Sequence, residues 1–411
     1  MIAPKIRFPE FHDEYINDSL SEISDRVRRK NSDNQTDIPL TIASIEGLVD
    51  QRTYFGKTVA SKDMSGYYLL QNGEFAYNKS YSKGFPVGSI KRLDKYAQGA
   101  LSTLYICFAL KEDADVTSDY LVQYFNSSAW YEAVNEVCAE GARNHGLLNV
   151  SPNDFFATTH HFAPTKEEQD KIAAFLSLHD QKIENQMAKV EALETRRKGL
   201  LQQIFSQEIR FKGDDGSDYE SWDELTIADL FTKVKTTNKD GKVTNVITNS
   251  AVEGLIPQRD FFEKDIAVEG NTDKYTIIHK GDFVYNPRKS TSAPYGPFNC
   301  YLLDEPGIVS PLYSCLKPND ERYTPYLLYY FASPAWYSYI YHNGNQGGAR
   351  HDRVGMTDDL LMGIPVSLPC MEEQEKISKF FACVDKQIQI EKDKLEAIKQ
   401  VKKGLLQQMF V

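Results

Sequence analysis

The octapeptide KGLLQQIF at residues 198–205 returns as KGLLQQMF at residues 403–410, and no other feature constrains this chain as much. Extended backwards without a gap, the match pairs residues 164–206 with 369–411 at an offset of 205, with 19 of 43 positions identical. The identities include Glu167/Glu372, Glu168/Glu373, Gln169/Gln374, Asp180/Asp385 and Lys189/Lys394. A repeat at this scale decides the architecture.

Both copies spell one long helix. Pro164 and Pro369 stand near its start, where a fixed φ and a missing N–H do no harm. Glu167, Glu168, Glu372 and Glu373 follow, where negative charge suits the helix dipole. Neither copy contains a further proline, which predicts a rod of roughly 60 Å at 1.5 Å per residue. Steps of three and four pick out Leu176, Ile183, Val190, Leu193, Leu200 and Ile204 in the first copy. In the second they pick out Phe381, Val384, Ile388, Leu395, Ile398, Leu405 and Met409. This is the 3.5-residue period of a coiled-coil seam. Polar residues interrupt both seams at the same slots, Gln186/Glu391 and Arg197/Lys402, as residues that fix register do. Two unrelated surface helices would not share that register, so the helices are expected to pack on each other within one chain.

The repeat continues, more weakly, ahead of each helix. IEGLVDQRTYF (45–55) matches VEGLIPQRDFF (252–262), and GEFAYNKS (73–80) matches GDFVYNPRKS (281–290) if a short insertion is allowed. YLVQYFNSSAWY (120–131) matches YLLYYFASPAWY (326–337), and GAR recurs at 141–143 and 348–350. β-Branched and aromatic runs broken by Gly, Pro and Asn predict strands and turns. Residues 118–137 have helical spacing behind a Ser118 or Asp119 cap. Each globular part is therefore expected to be α+β. The resulting boundaries are 1–163, 164–206, 207–368 and 369–411, with the polar stretch 211–225 reading as a linker.

No run of about 18 apolar residues exists that could span a membrane. The opening MIAPKIRFPEFHDEY lacks a basic start followed by an apolar stretch, which predicts no secretory signal. Cys107, Cys138, Cys300, Cys315, Cys370 and Cys383 form no CxxC pair, which suits reduced thiols in a cytoplasmic protein.

With these residues in view, the chain resembles the specificity subunits of type I restriction-modification systems. The resemblance rests on PTKEEQDKIAAFLS…KGLLQQIF and PCMEEQEKISKFFA…KGLLQQMF, on IRFPEFHDEY near the start, and on the alternation of globular part and helix over the full length. It implies two target recognition domains, each reading half of a bipartite site in double-stranded DNA. The two helices would pair as an antiparallel coiled coil with pseudo-twofold symmetry and fix the gap between the halves. The implied partners are two methyltransferase subunits, which modify adenine N6, and two motor-nuclease subunits. S-Adenosylmethionine, ATP and Mg would belong to those partners, and this chain would hold no cofactor and no catalytic residue. Helix faces carrying Lys182, Lys189, Arg196 and Lys399 would dock the methyltransferase, or simply be solvated.

The residues agree with a non-catalytic role. The nearest approach to an Asn/Asp-Pro-Pro-aromatic methyltransferase tetrapeptide is Asn286-Pro287-Arg288-Lys289. No GxxxxGK[ST] phosphate loop is present. His160-His161 has no partner at zinc-site spacing, so no metal is expected and a structural role is.

Net charge is −11, unlike the basic balance of many DNA-binding domains, but binding depends on local charge. Base edges are read by Arg, Lys, Asn or Gln on protruding elements. Residues 77–95 hold Asn78, Lys79, Lys83, Lys91 and Arg92, and the counterpart 285–299 holds Arg288 and Lys289. A second pair of windows contains Arg143 in the first half and Asn345, Gln346 and Arg350 in the second. Gln51-Arg52 and Gln258-Arg259 complete the candidates. Solvated loops or plain turns are the alternative at each. Trp130 and Trp336 read as core residues. The two halves differ most in these windows, which predicts an asymmetric target. Two other functions remain open on sequence: a coiled-coil adaptor for proteins, and a self-contained methyltransferase or nuclease.

Overall fold

A computed structural model describes the chain except for residues 1–2, 44–45, 57–59, 83, 139–146, 262–271 and 345–351. It divides into two compact units, Met1–Met187 with Asp393–Val411, and Ala188–Lys392. This division falls in the middle of both long helices, Lys166–Phe205 and Met371–Met409.

The units repeat one topology. In the first, a four-stranded antiparallel sheet has the spatial order Ser24–Arg26, Ile106–Leu110, Phe75–Asn78, Ser89–Arg92. In the second the order is Phe231–Lys233, Ser314–Pro318, Phe283–Tyr285, Phe298–Cys300. Among the described residues three two-stranded antiparallel sheets accompany each, including the hairpins Leu40–Ala43/Gly47–Asp50 and Ile247–Ser250/Gly254–Pro257. Mixed helices and strands in both units make the fold α+β.

Aromatic residues fill both cores. Trp130 and Trp336 are buried, and each indole donates to a carbonyl five residues back, Phe125 at 3.1 Å and Phe331 at 3.2 Å. A buried indole needs such a partner. The expected single helix over 118–137 is broken in two, Ser118–Asn126 and Tyr131–Glu136. Ser127 causes the break, since its hydroxyl donates back to the Tyr124 carbonyl and accepts from the Ala129 amide, competing with the helix ladder.

The repeated octapeptide ends in a phenylalanine that completes a core. Phe410 packs on Tyr120 and Tyr124 in the first unit, with centroids 5.4 and 5.7 Å away. Phe205 packs on Tyr326 and Tyr330 in the second, at 5.6 Å from each. Each long helix thus begins on one unit and ends in the core of the other.

Within each unit the two helix segments run side by side in opposite directions. Asp180 pairs with Lys402 in the first unit, and its 205-residue equivalent Asp385 pairs with Arg197 in the second. The polar seam slots are thereby satisfied across the helices. Lys189 also meets the seam residue Glu391 at 3.1 Å, and Lys392 meets Glu194 at 2.6 Å. All thirteen apolar seam residues named above are buried or half-buried. Four apolar residues off the seam, Leu178, Met187, Ile390 and Val401, are 44–55% exposed.

The stretch 211–225 is not a free linker. Arg210 grips the buried Glu373 at 2.7 Å, Trp222 donates to the same carboxylate at 2.9 Å, and Tyr219 donates to Glu372. Phe211 lies edge-on to Phe380. The start of the chain repeats this strap: Arg7 makes a two-pronged bond to the buried Glu168 at 2.7 and 2.8 Å, and Phe8 lies edge-on to Phe175. The tripeptide Ile-Arg-Phe at 6–8 and 209–211 was the legible signal for it. Polar composition alone concealed a segment anchored by charge-assisted bonds.

Candidate nucleic-acid interface

The loop after strand Phe75–Asn78 and the loop after strand Phe283–Tyr285 are built alike. Tyr77 Oη donates to the Val87 carbonyl at 2.8 Å, and Tyr285 Oη to the Tyr295 carbonyl at 2.7 Å. Asn78 Oδ1 accepts the Ser80 amide and Asn286 Oδ1 the Arg288 amide, each at 3.0 Å. Ser82 and Phe85 exchange backbone bonds, as do Ser290 and Ala293. Gly88 and Gly296 close the loops with φ of +82° and +86°. A Cβ at either would lie 2.1 Å from the Asn78 or Asn286 carbonyl oxygen, so only glycine fits.

This matching removes the insertion expected in the second loop. Both loops have one length at an offset of 208, so Ser80 corresponds to Arg288 and Tyr81 to Lys289. Alignment on the shared Lys-Ser dipeptide was misled by a chance identity.

The loops also bring distant windows together. Ser80 bridges to Leu147, and the Leu148 amide donates to the Lys79 carbonyl at 3.0 Å. In the same places Arg288 bridges to Arg353, and the Val354 amide donates to the Pro287 carbonyl at 2.9 Å. Each first window therefore lies beside the chain leaving the second window. Arg143, Asn345, Gln346 and Arg350 fall outside the described residues, as does Lys83.

In the second unit Arg288, Lys289 and Arg353 line one cleft with Asn249, Asn286 and Leu312. The Arg288 side chain is 70% exposed, with Asp352 at 3.8 Å. Asn249, buried behind the loop, donates to the Val284 carbonyl at 2.7 Å and accepts from Asn299 at 2.7 Å. Such a network holds a loop in place only because its members are partnered. The leucine in the cleft was missed in the sequence. Leu104 and Leu312 sit on turns of one design, STLY and SPLY, whose leading serine Oγ accepts the leucine amide at 3.4 and 3.3 Å. They are 67% and 56% exposed.

Other candidates are occupied elsewhere. Lys91 is held among protein groups, donating to Asn126 Oδ1 at 2.6 Å; burial, then the charge of Lys402, push its pKa down to about 8. Arg92 is bound by Asp94, Asp119 and Ser118. Lys79 Nζ donates to the Val150 carbonyl at 3.4 Å. Gln51 Nε2 donates to the Leu40 carbonyl, and Arg52 forks onto Asp50, holding that carboxyl below the usual range. Gln258 and Arg259 line a different cleft with Asp240, Asp273 and Glu305. They follow the hairpin strand Gly254–Pro257, whereas Ser250 and Val252, before that strand, line the cleft of Arg288.

His160 is buried between Tyr124 and Thr158. Thr158 gives its only hydroxyl proton to the Phe155 carbonyl, so Nε2–H must donate to Thr158 and Nδ1 must accept from Tyr124. Burial, then His161, lower its pKa to about 4. No group of His, Cys, Asp and Glu among the described residues could hold a metal ion. No helix among them is long and apolar enough to cross a membrane.

Residues 219–400 match the family described as type I restriction modification DNA specificity domain. A Methanocaldococcus jannaschii protein, named "Putative type I restriction enzyme MjaX specificity subunit", is 24% identical over 264 residues, 59% of this chain. The matched stretch spans 56% of that relative's length. A chain solved in work on complex assembly and conformational transition of the type I R-M system shares the fold. It superposes with a TM-score of 0.57 and 15% identity, covering 97% of both chains. The match to the type I restriction modification DNA specificity domain thus falls on residues 219–400, and the fold of the chain as a whole is similar to that of the solved chain.

Proposed function

We propose that this chain is the DNA-reading subunit of a type I restriction-modification complex and performs no chemistry itself. Each globular part reads one half of an asymmetric bipartite site in double-stranded DNA. The long helices pair as an antiparallel coiled coil, set the gap between the halves and dock two methyltransferase subunits, with two motor-nuclease subunits joining for cleavage. Adenine-N6 methylation would use S-adenosylmethionine in the partners, and cleavage would use their ATP and Mg.

One observation carries the reading. Two loops of equal length and identical backbone bonding present different side chains, Ser80 and Tyr81 in one unit, Arg288 and Lys289 in the other. A shared frame with unlike tips suits two readers of unlike sequences, and a palindrome reader would need like tips. An adaptor has no use for such tips beside Arg353 and Asn286. The test is adenine methylation mapping in a host carrying a methyltransferase partner, with this chain present and deleted. A motif of two defined halves around a fixed gap, lost on deletion, is expected. An unchanged methylation pattern would sink the proposal.

A further inference from the structure

The equal loop length permits an assignment that the sequence alignment forbids, and it rests on the DNA-reading function proposed above. We infer that Arg288 reads a guanine in the half-site of the second unit, and that residues 80 and 81 are the corresponding readers in the first.

Three features separate positions 288 and 289 from their neighbours. Every other fixed point of the loop serves the frame: Tyr285, Asn286, Ser290, Ala293 and Gly296 each hold a bond or turn that recurs in the first unit. The residues at 288 and 289 differ from their equivalents in charge and shape, whereas the frame residues Tyr, Asn, Ser, Pro and Gly are retained at 285, 286, 290, 294 and 296. The backbone at 288 is also tied on both sides, through the Asn286 side chain and the bridge to Arg353, so its exposed guanidinium projects from a fixed base. A guanidinium presented this way matches the O6 and N7 acceptors of guanine in the major groove, the commonest specific arginine contact. Asp352, 3.8 Å away, limits the swing of the side chain without tying it up. Ser80 and Tyr81 lack a cation and would read a different base.

The experiment is methylation mapping of wild type and of R288S/K289Y, which gives the second loop the tips of the first. Loss of a required guanine from one half of the motif, with at least tenfold more methylation at sites lacking it, is expected. The other half stays as in wild type and shows that the variant is folded and assembled. Uniformly weaker methylation with the motif unchanged would mark Arg288 as a phosphate contact and overturn the inference. Should the variant give no methylation, the wild-type complex decides with duplexes carrying 7-deazaguanine at each guanine of that half. Binding weakened at least tenfold at one position supports the inference, and unaltered binding at all of them defeats it. A wild-type chain that directs no bipartite motif removes the DNA-reading function, and the inference with it.

Discussion

The amide of Ile6 donates to the carbonyl of Gln408 at 2.9 Å, and the amide of Ile209 donates to Gln203 at 3.1 Å. Gln203 and Gln408 are the same residue of the repeated octapeptide. Ile209 lies six residues from its partner, and Ile6 meets the equivalent residue from the far side of the sequence. Joining Val411 to Met1 and opening the chain between Ser206 and Gln207 should therefore preserve both straps. The permuted protein is expected to melt within a few degrees of the parent, because no packed element is cut. A loss of cooperative unfolding by calorimetry would show that the continuous chain at 206–207 is needed.

Arg210 and Arg7 each neutralise a carboxylate with no solvent exposure. R210M should destabilise the fold by about 3 kcal/mol, since it strands a buried charge. Adding E373Q removes that charge while keeping an acceptor for Trp222, so R210M/E373Q should recover part of the loss. Denaturant midpoints of the parent, single and double variants measure this. A double variant no better than R210M would place the cost in lost arginine packing.

The His160 site predicts a pH dependence with a definite sign. Its pKa is about 4 in the fold and 6.5 without it, so below 6.5 the unfolded chain gains a proton that the folded chain refuses. Stability from this residue is complete above pH 6.5 and falls by up to about 3 kcal/mol as pH drops to 4. H160Q lacks this term, so the stability difference between wild type and H160Q should shift toward the variant across that window. Chemical denaturation at half-unit pH steps checks it, and a constant difference would contradict the burial of a neutral ring.

Lengthening both long helices by one heptad at their midpoints keeps the seam in phase and adds about 10 Å. On the proposed function the gap in the DNA target should grow by roughly three base pairs at 3.4 Å each, with both halves unchanged. Methylation mapping reads this directly. An unchanged gap would separate target spacing from helix length.

Much of this fold was legible because repetition supplied a second copy of each signal. The helices and their seam stood in the spacing of apolar residues. The straps did not, because 211–225 is polar and its anchor Glu373 is 151 or more residues away from Arg210 and Trp222. The candidate interface stands in the sequence only as windows of basic and amide residues. Lys91 and Arg92 look the same in sequence as Arg288, and only the fold shows that Asn126, Asp94 and Asp119 take the first two. Loop register was misread because Lys79-Ser80 and Lys289-Ser290 share two letters, whereas the frame is set by Asn78, Gly88 and the bridge to Leu147.

The seating of Phe410 against Tyr120 and Tyr124 bears on how the chain folds as it is made. Leu406, Met409 and Phe410 belong to the core of the unit that contains the first residues. That core stays open until residues 393–410 have been made, whereas the core cluster of Ala188–Lys392 lies within that stretch. At about 5 to 20 residues per second, synthesis of the intervening stretch leaves the first unit incomplete for roughly ten to forty seconds. Contrary to the usual order, the unit that begins earlier in the chain closes after the one that begins later.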